Sequence, residues 1–114
     1  MRVWQEARDL AVEVYRLTGQ GRLQRDFGLK DQMQRAAVSV ACNISEGYER
    51  NSDADFKRFL FIAKGSLSEL LTQLDIAQQI GCIDEADFAA MDKRGNKIGA
   101  MITKLVRARS KKNR

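Results

Sequence analysis

Residues 53–80 read DADFKRFLFIAKGSLSELLTQLDIAQQI, and their apolar side chains repeat with the period of a helix. The apolar positions alternate in spacing between four and three residues, which is the pattern of a helix packed along a bundle. Ser52 before the segment, with Asp55 three residues later, is typical of an N-terminal cap. Gly81 after it favours a C-terminal stop. The apolar seam consists of Phe56, Leu60, Ala63, Leu67, Leu70, Leu74 and Ala77.

Helical periodicity extends outward from this segment in both directions, and no stretch alternates in the manner of a strand. The longest connection covers residues 19–28, and Gly47 favours a left-handed stop for the second helix. Because short connections place successive helices antiparallel, the predicted fold class is all-α, an up-down-up-down four-helix bundle over residues 1–106. The predicted helices are approximately residues 3–18, 30–46, 53–80 and 85–107.

The second helix is apolar on more than one side. One stripe, formed by Met33, Ala37, Val40 and Ile44, is suited to the bundle core. Val38, Ala41 and Cys42 are also apolar, but they lie outside this stripe on other sides of the helix. Four helices of this length cannot easily cover one of their own number on all sides, so the sequence predicts self-association into a homo-oligomer.

The composition excludes several classes of protein. A chain of 114 residues provides one domain. It has no histidine, the commonest general base and metal ligand, and no glycine-rich phosphate-binding motif. Cys42 and Cys82, forty residues apart, cannot form a zinc site alone and are predicted to be reduced core residues. We therefore expect no enzymatic activity, no catalytic residue, no cofactor and no metal site.

The sequence also gives no sign of a membrane or secreted protein. The longest run without a charged residue is 36–45, ten residues, against the ~18 that a membrane span needs. Four of the first nine residues, where a signal peptide needs its apolar stretch, are charged: Arg2, Glu6, Arg8 and Asp9. The predicted location is therefore the cytoplasm.

The net charge of +5 comes from the C-terminal end of the chain. The last eleven residues contain six cations and no acid, leaving 14 cations and 15 acids in residues 1–103. Such a cluster is typical of an arm that binds RNA or DNA, with residues 107–114 as a basic tail. It equally suits a solubilising helix end, and it contains no aromatic residue to stack on a base. The six cations are Lys104, Arg107, Arg109, Lys111, Lys112 and Arg114.

Polar residues follow one line on the second helix and form a matching patch on the third. Their interpretation as a ligand pocket would need the carboxylates of Glu46 and Glu69 to cooperate, and two carboxylates provide few ligands for a cation. We favour a structural hydrogen-bond network that fixes the register between helices or subunits. The predicted network consists of Arg35, Ser39, Asn43, Glu46, Ser66 and Glu69.

The stretch QMQRAAVSVACNISEG at residues 32–47, followed by Arg50, Ser52 and Phe56, resembles one family closely. These are the small bacterial four-helix-bundle proteins encoded in 23S ribosomal RNA intervening sequences, related to the accessory variability determinant of diversity-generating retroelements. The resemblance implies a homopentameric ring, and its retroelement members bind nucleic acid and a reverse transcriptase. Unlike many relatives, this chain has no proline in its first loop or in its second helix.

Two functions remain open from the sequence. The first is a non-catalytic oligomeric bundle that binds RNA or DNA without sequence specificity through its C-terminal cations. The second is a protein-interaction scaffold or accessory subunit, for example of a reverse transcriptase, with no direct role in nucleic-acid binding.

Overall fold

A computed structural model describes residues 1–111 of the chain. Within this range all regular structure is helical, and four long helices form an elongated bundle of about 50 × 21 × 18 Å. Each helix packs antiparallel to its neighbours in the cyclic order α1, α2, α3, α4. The predicted fold class is therefore confirmed. The helices are α1 (Arg2–Thr18), α2 (Phe27–Tyr48), α3 (Asp53–Gln79) and α4 (Glu85–Lys111).

The helix ends follow the capping chemistry of the sequence. The Ser52 hydroxyl accepts a hydrogen bond from the backbone N–H of Asp55 at 3.1 Å, which caps α3 as predicted. After α3 the chain turns at Gly81 with a φ of +80°, a conformation that favours glycine. The carboxylate of Asp84 accepts from the N–H of Asp87 at 2.7 Å at the start of α4.

The second helix is longer than the sequence predicted. It begins at Phe27 because the carboxylate of Asp26 accepts a hydrogen bond from the N–H of Leu29 at 3.1 Å. A short 3₁₀ helix, Gly21–Arg25, occupies half of the connection, residues 19–28, that was predicted as a loop. Residues 27–29 therefore belong to the helix and not to the loop.

The prediction that Gly47 stops α2 in a left-handed conformation is wrong. Gly47 lies inside the helix, and its φ is not positive. A Cβ at this position would lie 2.7 Å from Cβ of Phe59 and 3.0 Å from a ring carbon of Phe56. Glycine is needed here because α2 and α3 approach each other too closely for any side chain.

The core contains the predicted seam of α3 and the predicted stripe of α2. Every seam residue from Phe56 to Ala77 is at most 3% exposed, and Met33, Ala37, Val40 and Ile44 are at most 1% exposed. The spacing of apolar residues was therefore sufficient to identify both faces.

The remaining apolar surface of α2 is not covered by the chain itself. Val38 remains 38% exposed, and Ala41 is half-buried against the core. Cys42 is exposed, so its prediction as a core residue is wrong, while Cys82 is half-buried; both are free thiols. The reason is geometric: Cys42 follows Val40 of the core stripe by two residues, so at 3.6 residues per turn it lies on the opposite side of α2 from the core.

Candidate nucleic-acid interface

The C-terminal cations lie on a helix that is continuous with the bundle. α4 runs without interruption across the predicted boundary between residues 106 and 107, as far as Lys111. Lys104 and Arg107 are exposed on this helix. Lys112 and Arg114, two of the predicted binding residues, lie outside the described residues.

Arg109 has a different environment from Lys104 and Arg107. Its guanidinium donates a hydrogen bond to Oδ1 of Asp53 at 2.9 Å, and the two side chains are only 30% and 23% exposed. The same guanidinium lies 4.7 Å from the centre of the Phe56 ring, within cation–π range. These contacts join the end of α4 to the first turn of α3, so Arg109 stabilises the bundle.

Two lysines of α3 lie beside the basic end of α4. Nζ of Lys64 donates to Oγ1 of Thr103 at 2.7 Å, and Nζ of Lys57 donates to Oγ of Ser110 at 3.3 Å. The lysines are seven residues apart on α3, about 10 Å at 1.5 Å per residue. Each pair places an ammonium group, a good donor to phosphate oxygens, at the same edge of the bundle, while the hydroxyl of Ser110 donates its own hydrogen to the backbone oxygen of Val106 at 2.9 Å.

We call Lys57, Lys64, Lys104 and Arg107 the basic face. In residues 1–111, none of the four forms an ion pair with a carboxylate. Arginines of α1 and α2 are paired locally instead: Arg8 with Asp9, Arg16 with Glu13, and Arg35 with Asp31. Arg2, Arg22, Arg25 and Lys30 on other elements also form no ion pair within residues 1–111, so the basic face is the group of such cations that lies on α3 and the C-terminal half of α4.

Lys57 and Lys64 are not among the residues that the sequence predicts to bind nucleic acid. Their proximity to α4 depends on the register between two helices, which no local pattern encodes. One signal was nevertheless present in the sequence. The chain carries nine Lys and Arg residues and no acid from residue 93 to its end, twice the length of the segment identified above, and residues 56–68 also lack an acid.

The predicted polar network forms only in part. The hydroxyls of Ser39 and Ser66 hydrogen-bond across α2 and α3 at 2.8 Å. Nδ2 of Asn43 donates to the backbone oxygen of Ser39 at 2.8 Å and to its hydroxyl at 3.0 Å. This half-buried group links α2 to α3 through hydrogen bonds.

The three charged members lie outside this group. Arg35 pairs with Asp31 on its own helix, and Glu46 lies 3.8 Å from Arg50. Glu69 is exposed. Measured from the Ser39–Ser66 contact, Glu46 and Glu69 lie in opposite directions, about 15 Å apart along the helix axes. The structure therefore does not bring the two carboxylates into one pocket.

Residues 1–111 contain neither a cluster of metal ligands nor a membrane-spanning helix. No three His, Cys, Asp or Glu side chains in this range come together in a way that could hold a metal ion. No helix in the same range combines the length and the apolar character required to cross a membrane.

Comparison with known proteins identifies the family. The family model of the 23S rRNA-intervening sequence proteins matches residues 1–104. The chain belongs to this family. The match includes Lys57, Lys64 and Lys104 of the basic face and ends before Arg107, and it confirms the resemblance carried by residues 32–47.

One solved structure provides a comparison of the fold. It is the crystal structure of a protein of unknown function from the S23 ribosomal protein family of Bacteroides thetaiotaomicron VPI-5482. The TM-score is 0.84 at 21% sequence identity, with 91% of this chain and 97% of that chain covered. At this identity the likeness shows a shared fold. The comparison with curated proteins finds no match.

Proposed function

We propose that this protein is a non-catalytic bundle that binds RNA or DNA through the basic face. The observation that carries the proposal is the concentration of cations without ion-pair partners along one edge of the bundle, formed by Lys57 and Lys64 of α3 with Lys104 and Arg107 of α4. Phosphate groups are the ligand that such an edge favours, because each contact releases a condensed counterion.

The expected binding mode is through the phosphate backbone. Lys57 and Lys64 each use one N–H on a hydroxyl of α4, which leaves two of the three donors of each ammonium group for phosphate oxygens. Arg107 supplies a guanidinium that can donate two parallel hydrogen bonds to one phosphate. Because phosphate contacts carry no base information, this part of the interaction is independent of sequence.

The test is fluorescence anisotropy of labelled RNA and DNA at two salt concentrations. The full chain should bind more weakly at higher salt, with a log–log slope of about −0.7 to −0.9 for each neutralised phosphate. The triple variant K57Q/K64Q/R107Q should lose at least about tenfold in affinity at 0.1 M salt and about two units of this slope.

A matched control removes the same charge elsewhere. The variant R8Q/R16Q/R35Q also lowers the net charge by three, at positions that are already ion-paired on α1 and α2. It should bind nearly as well as the unmodified chain. Equal losses in both triple variants would show that only the net charge matters, and the assignment to the basic face would be wrong.

The C-terminal residues need a separate variant. Removing residues 109–114 would also remove the Arg109–Asp53 contact, so a loss of binding could reflect a destabilised bundle. Removing residues 112–114 deletes Lys112 and Arg114 and keeps that contact. If these two cations bind phosphate as the sequence predicts, the shorter deletion should lower the salt slope by about one to two units.

We propose in addition that the protein is a homo-oligomer, and the family resemblance favours a pentamer. The supporting observation is an exposed apolar surface on α2 and α3, with Val38, Ile62, Ile76 and Ile80 each 38–48% exposed. Light scattering should give a mass near five chains. A monomer at micromolar concentration would contradict this proposal and leave nucleic-acid binding by the basic face to be tested by itself.

The alternative function is a scaffold or accessory subunit for another protein, such as a reverse transcriptase. The same exposed apolar side chains support it, since a contact with another protein would cover them. Absence of binding to either nucleic acid at low salt would favour the scaffold. A partner recovered after nuclease treatment would then identify its role.

A further inference from the structure

Phe61 is an exposed aromatic residue within the basic face. It lies on the outward side of α3 and is 60% exposed. It follows Lys57 by four residues and precedes Lys64 by three, so the three side chains share one side of the helix. The ring therefore lies between two ammonium groups that are directed toward Ser110 and Thr103 of α4.

Three other exposed or half-buried aromatic rings have partners, whereas Tyr15, 50% exposed, and the half-buried Phe88 have no cation or ring against them within residues 1–111. The Phe59 ring lies 4.6 Å from the guanidinium of Arg58, and the Phe27 ring lies 5.3 Å from the ammonium of Lys30. Tyr48 makes an edge contact with Phe56 at 6.1 Å. Within residues 1–111, Phe61 has neither a cation nor a second ring against its face, so its surface is available to a ligand.

We propose that Phe61 stacks on an unpaired base while Lys57 and Lys64 bind phosphates on either side of it, so that the basic face prefers single-stranded nucleic acid to duplex. This inference rests on the proposed function. Aromatic side chains between cations are the usual combination in proteins that bind single strands, because every base offers a flat face for stacking. In a duplex both faces of a base are covered by its neighbours, so the ring gains no such contact there.

The charges around Phe61 argue against a contact in which two copies of this chain meet through this same patch. If two copies met face to face at Phe61, Lys57 and Lys64 of one would meet the same lysines of the other, and juxtaposed like charges are costly. The contacts of a closed ring join two different patches, and the light-scattering measurement below tests that case. A polyanion satisfies the two ammonium groups and the ring together.

The experiment compares Phe61→Leu with Phe27→Leu in the full chain. Phe27 is 74% exposed at the start of α2, outside the basic face, and the ammonium of Lys30 lies 5.3 Å from its ring centre, so its variant removes an exposed ring that already has a cation partner. The probes are a labelled 20-nucleotide oligouridylate and a labelled 20-base-pair DNA duplex, each titrated by anisotropy at two salt concentrations.

Phe61→Leu should weaken binding of the single strand by about 5- to 100-fold, the range for loss of one stacked base. Its affinity for the duplex and its salt slope should remain unchanged, because no phosphate contact is removed. Phe27→Leu should leave both affinities unchanged. In a Phe61→Trp variant, the single strand should quench the tryptophan fluorescence and the duplex should not, after subtraction of the signal from Trp4.

Each contrary result has a distinct meaning. If the unmodified chain binds neither probe, the proposed function itself fails. If it binds with a salt dependence and Phe61→Leu binds both probes equally well, only the stacking inference is overturned. It is likewise overturned if Phe61→Leu changes the mass measured by light scattering, because the ring would then belong to a contact between subunits.

Discussion

The two sides of α3 differ in what they contact and in what they leave free. Towards α2, the contact is close and uncharged: Gly47 lies against Phe59, and the hydroxyls of Ser39 and Ser66 hydrogen-bond at 2.8 Å. Towards the C-terminal half of α4, the edge of the contact carries Lys57 and Lys64. The α3 helix therefore has two roles. Its close contact with α2 stabilises the fold, and its charged edge beside α4 remains open to a ligand.

The largest stability effect is expected on the α2 side. Gly47→Ala should lower the free energy of unfolding by about 1–3 kcal/mol. The new Cβ would lie 2.7 Å from Cβ of Phe59 and 3.3 Å from the backbone oxygen of Phe56, so the helices must separate. This cost outweighs the ~1 kcal/mol that alanine gains over glycine in a helix. Denaturant unfolding at fixed protein concentration measures the difference. An unchanged stability would contradict close packing as the feature that distinguishes this side of α3.

A smaller effect is expected where α3 meets the end of α4. Arg109→Gln should lower the free energy of unfolding by about 1 kcal/mol, because Asp53 loses a partly buried, charge-assisted hydrogen bond. The affinity for nucleic acid should change little. Thermal unfolding and anisotropy, measured on the same sample, separate the two effects.

Arg107→Gln is the matched variant for Arg109→Gln, two residues earlier on the same helix. Arg107 is exposed and belongs to the basic face, so this change should reduce binding and leave unfolding unchanged. If the two variants behaved alike, the separation between structural and binding cations on α4 would be wrong.

The smallest effect, of opposite sign, is expected at Gly99 on the other contact of α3. A Cβ at Gly99 would lie 3.5 Å from the nearest side-chain carbon of Leu67, an ordinary van der Waals distance. Gly99→Ala should therefore raise the free energy of unfolding by about 0.5–1 kcal/mol through helix propensity. Denaturant unfolding of Gly99→Ala and Gly47→Ala under the same conditions compares one substitution at a position with room for a Cβ and at a position without room. Destabilisation at Gly99 would show that α4 packs on α3 as closely there as it does at Gly95, where a Cβ would lie 2.6 Å from Cδ2 of Leu71.

The sequence was sufficient to predict the helices, but it did not predict which residues of neighbouring helices contact one another. Apolar spacing identified the core faces of α2 and α3, because a helix that buries one side must repeat its apolar residues with the helical period. Two other predictions from the sequence were wrong, the helix stop at Gly47 and the core position of Cys42. A glycine that ends a helix and a glycine that admits a neighbouring helix look alike in one sequence, and a small apolar residue does not reveal which side of its helix is covered.

For the candidate nucleic-acid interface as well, the sequence identified some residues and only the structure identified the roles of others. The sequence located Lys104 and Arg107 by their charge, because a run of cations without acids is visible in the chain itself. It did not distinguish Arg109, whose role depends on Asp53 being 56 residues away in the chain and 2.9 Å away in space.

By itself the sequence determined that this chain forms four helices, which faces of them are apolar, and that its C-terminal end is basic. These properties are local, since capping, periodicity and charge depend on residues within a few turns of each other. Only the tertiary structure decided that Lys57, Phe61 and Lys64 lie beside the basic end of α4, and that Arg109 forms its contacts within the bundle. The register between packed helices is set by the fit of side chains across the whole interface, and no short stretch of sequence contains it.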